Sequence, residues 1–487
     1  MTEQPVSVPS RSICHRGLLS AWLLSLVLAA GSMSAQPLST VVCANGGPNY
    51  TPFAMSEFLA TDTGTPLLRH TLTGPDSRCN DGTSAVMYIR PADAHYTGPQ
   101  LTDAEKQQEK WVIFFDGGGG CGDADGCGER WCNLNGFNRG AKMSTTGVYD
   151  AIRGPGILRQ DPATNHFAGY NHVLIYYCSS DNYIGSQAHT SITAVGGPLA
   201  GTSYDIEFNG EAIVADVFNT LLAGAAPDAG PAATFYSTPL PSLATADEIV
   251  IAGESAGGGG VRHHLDSLNA LLTAAVAGQP EIYGVIDAGA APAMWEPWIT
   301  WGAVAGAPVS YADYLLNWVV PRSDVFWGAN STAIDQSCQG AAFAAAHNAV
   351  GSHPEICYDT TYTLANHIET PFFLRMDIND TAARDSFQAW QLFPGIAQYW
   401  TGQVTLLNDL AFGAGGLEPF LTQPGVFGPK CDQHVSILTG DFYTHHISPV
   451  GSSFHDLLVN WQAGLAPATE IQPDFIAGPA YTNSICP

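Results

Sequence analysis

The sequence predicts an α/β fold, a mostly parallel central sheet with helices on both faces, and three observations predict it. Short apolar runs recur at 111–115, 173–177, 249–252, 282–286 and 372–376, the near-continuous pattern of strands buried on both sides. Helical patterns lie between several of them: 210–222, with Ala212, Ile213, Val217 and Leu221 on one face, and 261–275. Such alternation argues for parallel strands joined by helical crossovers. The third observation is the joint between the 249–252 run and the helix after it, Gly253-Glu254-Ser255-Ala256-Gly257. Small residues two before and two after the serine permit a sharp strand-to-helix turn. That turn lifts the hydroxyl clear of the sheet and sets it at a helix N-terminus, which favours a developing anion.

At the N-terminus, Arg11, His15 and Arg16 precede an apolar run from 17 to 30 and then small residues up to Ser34 and Ala35. A charged segment, a short apolar core and a small-residue zone read as a secretory signal peptide over 1–35. The run is shorter than the ~20 residues a membrane span requires. Residues 36–487 then form a single catalytic domain, exported to an extracellular or periplasmic space and without stable membrane insertion.

Cysteine usage agrees with export. Of eleven cysteines, Cys14 falls in the leader, leaving Cys43, Cys79, Cys121, Cys127, Cys132, Cys178, Cys338, Cys357, Cys431 and Cys486. An even set in an exported chain reads as up to five disulfides, and no C-x-x-C pair exists to nucleate a metal site.

The formal net charge is −27, and −28 once Glu3, Arg11 and Arg16 are removed with the leader. Such a surface repels nucleic acid and anionic membranes. At 45% hydrophobic residues the chain is long enough for a large core and belongs to the globular class.

The serine requires a base, a group that orients the base, and oxyanion donors. Asp116-Gly117-Gly118-Gly119-Gly120-Cys121 follows the 111–115 strand, and successive glycines there let backbone N–H groups approach a substrate oxygen. No lysine follows as a phosphate loop demands. In elbow-type hydrolases the acid and then the histidine follow the serine. The strand at 370–376 ends in Asp377-Ile378-Asn379-Asp380, with Asp385 beyond it. Either Asp377 or Asp380 suits the role, and Asp380 equally suits an N-cap for a helix over 381–390. The base comes from His434, His445, His446 or His455; the Cys431-Asp432-Gln433-His434 loop, which a disulfide could stiffen, favours His434.

Residues 223–243 read as a surface connection. The 393–430 stretch holds Trp400, Leu406, Leu407, Phe412, Leu417, Phe420 and Phe427 without clean periodicity; it is expected either as core packing or as a lid or pocket-wall insertion.

Several segments together resemble the pectin acetylesterase/Notum family of carboxylesterases. Cys79-Asn80-Asp81-Gly82-Thr83 is similar to its C-x-D-G-S motif, and residues 111–121 to its W-hydrophobic-E-G-G-G-W-C block, with Cys127 as the following cysteine. Tyr177-Cys178-Ser179-Ser180-Asp181 with Gly185 is similar to Y-C-S-S-D-x-x-x-G, Phe208-Asn209-Gly210 to F-x-G, residues 253–258 to G-x-S-A-G-G, and Asp287-Ala288-Gly289 to D-S-G. The similarity runs from about Cys79 to Trp461.

The resemblance implies an α/β-hydrolase-like fold, Ser255 as nucleophile, His434 (from C-x-x-H) as base, and Asp380 (ten residues into the stretch opened by Pro371) as its orienting acid. It implies an oxyanion hole from Gly118, Gly119 and Ala256, and disulfides Cys121–Cys127 and Cys338–Cys357. Asp116 stands where the family usually has Glu, and Gly119 and Gly120 stand where an aromatic residue is expected. The family divides between deacetylation of pectic polysaccharide and removal of a long acyl chain from a protein.

The expectation is a secreted serine carboxylesterase, without cofactor or metal, that removes acyl groups, acetyl first, from an ester such as pectic polysaccharide. The negative charge disfavours polygalacturonate, and the apolar 393–430 stretch favours an apolar acyl group. Alternatives are a lipid-ester or polyester hydrolase with the same triad, and a non-catalytic binding module on a hydrolase fold. A metal-binding protein built on His263-His264-x-Asp266 or His445-His446 is disfavoured, since adjacent histidines on a helix cannot both face one ion.

Overall fold

A computed structural model describes residues 35–472, apart from 44–63, 93, 95–100, 103, 133–141, 231–234, 237, 295–309, 329–337, 339–353, 385–395, 413–423 and 448–450. The expected leader, Asp385 and Cys486 lie outside the described residues. From Ala35 onward the chain is one unit. Its frame is a ten-stranded sheet. Strands β2 (Leu67–Thr71), β3 (Val86–Arg90), β4 (Gln107–Phe115), β5 (Ala151–Ile152) and β6 (Tyr170–Ile175) come from the first part of the chain. Strands β9 (Glu248–Glu254), β10 (Glu281–Asp287), β11 (Phe372–Arg375), β12 (Gly425–Gly428) and β13 (Thr469–Ile471) come from the second.

The spatial order is β13-β12-β11-β10-β9-β4-β6-β3-β2-β5. Every pair from β13 to β6 is parallel, and the pairs involving β3 and β2 are antiparallel. The central strands carry apolar stretches because helices or loops cover both faces: residues 111–115, 249–252, 285–286 and 372–374 are all at most 2% exposed. At ~25 cal/mol per Å² of apolar area removed from water, such strands carry much of the stability.

Helix α2 (Gly210–Ala223) buries Ile213, Val214, Val217, Phe218 and Leu221; Ala212, expected on that face, is only half-buried. The twenty-residue α3 (Ala256–Ala275) packs against β9 and β10. A second sheet, ordered β1-β8-β7 (Gln36–Pro37, Ser203–Phe208, Gln187–Thr193), stands apart from the main one.

The 393–430 stretch is core where it is described. Helix Ile396–Phe412 buries Tyr399, Leu406, Leu407 and Leu410, and Gly425–Gly428 is the sheet strand between β11 and β13. These parts are sheet and sheet-covering helix, not a lid; residues 413–423 lie outside the described set.

Disulfides join Cys43–Cys132, Cys79–Cys178, Cys121–Cys127 and Cys338–Cys357, and Cys431 is also disulfide-bonded. Among the described residues no helix is long and apolar enough to cross a membrane.

Candidate active site

The carboxyl ends of β4, β9, β10 and β11 converge on Ser255. Strand β9 ends at Glu254 and α3 begins at Ala256, so Ser255 alone makes the turn, at φ 52° and ψ −119°. That conformation is strained for a residue with a Cβ. Two backbone bonds hold it: Ser255 N–H donates to Asp287 O (2.8 Å), and Ser255 O accepts from Gly259 N–H (2.9 Å). The turn also needs close approach to β4. A Cβ at Gly257 would lie 2.0 Å from Phe115 O, so only glycine fits.

His434 bridges the other two residues. Its Nε2 lies 2.8 Å from Ser255 Oγ and its Nδ1 lies 2.7 Å from Asp380 Oδ2. The carboxylate only accepts, so Nδ1 carries the proton and Nε2 faces the serine hydroxyl as the lone-pair nitrogen. Asp380 is fully buried, whereas the imidazole is 30% exposed toward the site mouth. Asp380 makes two contacts: Oδ2 meets His434, and Oδ1 accepts from Ala383 N–H (2.9 Å), capping the helical turn at 381–384.

The competing candidates lie elsewhere. Asp377 points into the protein, against Arg375 (2.7 Å) and Gln433 N–H (2.9 Å). His445 is buried beside Arg375, its pKa pushed down to about 3, first by burial and then by Arg375 and His446. His446 meets Gly451 O, and His455 accepts from His166 N–H while packing against Phe442. His264 meets Tyr183 O. Asp377, Cys431 and His445 do bring three ligand-type atoms within 4.8 Å of one another. With Cys431 in a disulfide, its sulfur is unavailable as a thiolate ligand.

The glycine loop after β4 is held from beneath. Gly118 and Gly119 take φ of +154° and +69°. Arg130 donates to Gly118 O (2.7 Å), Ser180 Oγ (2.8 Å) and Lys142 O (3.4 Å), and Lys142 makes a buried ion pair with Asp116. Tyr183 OH donates to Asp116 O at 3.0 Å, and Cys121 N–H to Ser180 O at 3.1 Å. Ala256, as the first residue of α3, has one of the N–H groups that a helix leaves without an internal partner. An aromatic residue from a distant segment packs on this loop. Trp327 donates from Nε1 to Cys121 O (2.7 Å), and its ring lies 3.7 Å from where a Cβ on Gly120 would sit.

Glu254 was not anticipated. Its Oε2 is buried with no hydrogen-bond partner among the described residues. Burial, then Asp116 and Asp287, push its pKa up to about 8 against the opposing pull of Lys142 and Arg375. Its position inside the elbow motif was the only available signal. Arg130, Lys142 and Arg375, three of seventeen basic residues, carried none, because a sequence does not reveal which cations are buried.

Residues 64–291 match the family model described as pectinacetylesterase. That span holds the glycine loop and Ser255 and ends before Asp380 and His434. The palmitoleoyl-protein carboxylesterase notum2 of Xenopus laevis is 27% identical over 213 residues, covering 43% of this chain and 34% of that protein. The corresponding notum1a of Danio rerio is 27% identical over 221 residues, covering 45% and 35%. The chain thus matches about a third of the length of these curated relatives. Among solved structures, the Wnt deacylase Notum from Drosophila is similar at a TM-score of 0.58 and 22% identity, over 88% of this chain and 100% of that one; this likeness carries the fold. The chain is thus similar over residues 64–291 to the pectinacetylesterase family, and it is similar to the Notum carboxylesterases.

Proposed function

We propose that this chain is an exported serine carboxylesterase that removes a short acyl group, acetyl first, from an alcohol such as a polysaccharide hydroxyl. The observation that carries the proposal is the Ser255–His434–Asp380 chain of contacts at 2.8 and 2.7 Å, set beside a glycine loop. His434 Nε2 takes the Ser255 proton as Oγ attacks the ester carbonyl. The tetrahedral oxyanion is stabilised by backbone N–H groups of Gly118, Gly119 and Ala256. Asp380 keeps the imidazole tautomer and stabilises the imidazolium. The proton then passes from His434 to the leaving alcohol, giving an acyl-enzyme on Ser255. Water, deprotonated by His434, repeats the sequence and releases the acid. No step calls for a metal or cofactor.

The match of residues 64–291 to the pectinacetylesterase model supports ester hydrolysis, and the disulfides support an oxidising compartment. A second reading, long-chain deacylation, is favoured by the relatives described as palmitoleoyl-protein carboxylesterases. A p-nitrophenyl ester series from acetyl to palmitoyl separates the two. The expected result is an optimum at acetyl, with kcat lowered by on the order of 10⁴–10⁶ in Ser255→Ala. An optimum at palmitoyl selects the second reading. Activity that survives Ser255→Ala removes both.

A further inference from the structure

A fully buried cluster of three charged groups adjoins the His434 loop and takes no part in proton transfer. Arg375, Asp287 and Asp377 are all fully buried. Arg375 closes ion pairs with Asp287 Oδ1 (2.8 Å) and Asp377 Oδ1 (2.7 Å). Two of its nitrogens also reach main chain: Nη1 donates to His434 O (2.8 Å) and Nη2 to Gln433 O (3.2 Å). The carboxylates grip the same loop from the donor side. Asp377 Oδ2 accepts from Gln433 N–H (2.9 Å), and Asp287 Oδ2 accepts from Ser436 N–H (2.7 Å) and Ile437 N–H (2.8 Å).

Five side-chain-to-backbone bonds therefore land on residues 433–437, on both sides of His434. The backbones of the same acids reach the other two site residues: Asp287 O accepts from Ser255 N–H (2.8 Å) and Asp377 O from Asp380 N–H (3.1 Å).

Burying three charged groups is expensive, and well-packed apolar residues often serve stability as well or better. What apolar residues cannot do is fix donors and acceptors along an irregular loop. We propose that Arg375, Asp287 and Asp377 are positioning residues that clamp the His434 loop and register it against Ser255 and Asp380. The proposal rests on the serine-esterase reading of the site.

Arg375→Lys tests it, because lysine keeps a charge for both carboxylates but lacks the planar fork that reaches two carbonyls at once. Two readouts are taken well below the melting temperature. One is kcat and KM on p-nitrophenyl acetate; the other is the far-downfield proton resonance of the His434 imidazole N–H, assigned by its loss in His434→Gln. The expected result is a fall in kcat on the order of 10–100-fold, little change in KM, and a shifted or broadened resonance.

Arg90→Lys is the control. Arg90 is also buried, with Thr65 O (2.7 Å), Leu158 O and His172 as partners and no hydrogen bond to residues 433–437; its loss should lower stability and keep both readouts. Wild-type kcat and resonance in Arg375→Lys would overturn the clamp, as would equal losses in Arg90→Lys. Should Arg375→Lys not fold, Asp287→Asn is read the same way, since its –NH2 cannot accept and the side chain loses either the Arg375 Nη1 bond or the Ser436 and Ile437 bonds. An inactive wild type that nonetheless shows the resonance, with the resonance perturbed only in the clamp variants, would sink the esterase reading and leave the clamp standing.

Discussion

Ser255 has the imidazole of His434 against its hydroxyl (2.8 Å) and follows Glu254, whose Oε2 is buried. Glu254 has a folded-state pKa of about 8 against 4.5 in the unfolded chain, so the native state holds its proton over a range where the unfolded state has released it. The resulting stability is complete below about pH 4.5 and is lost as pH rises through about 8. Asp181, raised to about 6 chiefly by burial, acts in the same direction at lower pH. An ionised Glu254 would also place negative charge near the glycine loop, since its Cγ lies 3.2 Å from where a Cβ on Gly117 would sit. Glu254→Gln, which mimics the neutral acid, is therefore expected to flatten the decline in melting temperature between pH 5 and 8. It should also move the alkaline loss of kcat/KM upward; an unchanged pH–stability curve and pH–rate profile would refute this role. Asp380→Asn should keep the fold but lower kcat by on the order of 10³–10⁴, because the amide no longer selects the productive tautomer. Steady-state kinetics on p-nitrophenyl acetate, with a circular dichroism melt as control, measures this.

Among the elements, the β9–α3 elbow and the glycine loop after β4 depend on each other through Gly257. Gly257→Ala forces its Cβ against Phe115 O; relief requires moving either the elbow or the end of β4, which leads into Gly118 and Gly119. Overpacking of this kind costs about 1–3 kcal/mol or more. The expected outcome is a lower melting temperature together with a loss of kcat beyond the loss of folded protein, read by comparing activity per folded molecule.

The legibility of the elements follows from burial. Strands β4, β9, β10 and β11 were readable because each carries an unbroken apolar stretch, at 111–115, 249–252, 285–286 and 372–374, covered on both faces. Strands β2 and β3 were not, since Arg69, His70 and Arg90 interrupt the pattern. The structure resolves the interruption at Arg90 by pairing it with backbone carbonyls. Helix Ile396–Phe412 was hidden because Gln403 lies on its buried face, where it donates to Tyr399 OH (3.1 Å). Strand β12 was hidden because four residues, two of them glycine, give no period. At the site, the residues alone could not separate Asp377 from Asp380. The two stand three residues apart at one strand end, and only the fold shows that one faces inward.

At the scale of the whole molecule, the disulfides divide between long and short loops. Cys43–Cys132 and Cys79–Cys178 close separations of 89 and 99 residues, whereas Cys121–Cys127 closes 6. In the chain-entropy model a hundred-residue loop contributes about 5 kcal/mol and a very short one about 2. Replacing Cys79 and Cys178 together by alanine should lower the melting temperature more than replacing Cys121 and Cys127. The second pair borders the glycine loop, so its loss should lower kcat more; thermal melts and kinetics on the two double variants check both orders.

The parallel sheet gathers Ser255 from β9, Asp380 from beyond β11 and His434 from beyond β12 at one edge, and the account's central claim is that this convergence makes Ser255 a nucleophile. The most direct measurement is the intact mass of the protein after treatment with a p-nitrophenyl phosphonate, followed by peptide mapping. The predicted result is a single adduct on the peptide containing Ser255, absent in Ser255→Ala and slowed on the order of 10³-fold or more in His434→Ala. No adduct on folded protein, or an adduct on another residue, would contradict it.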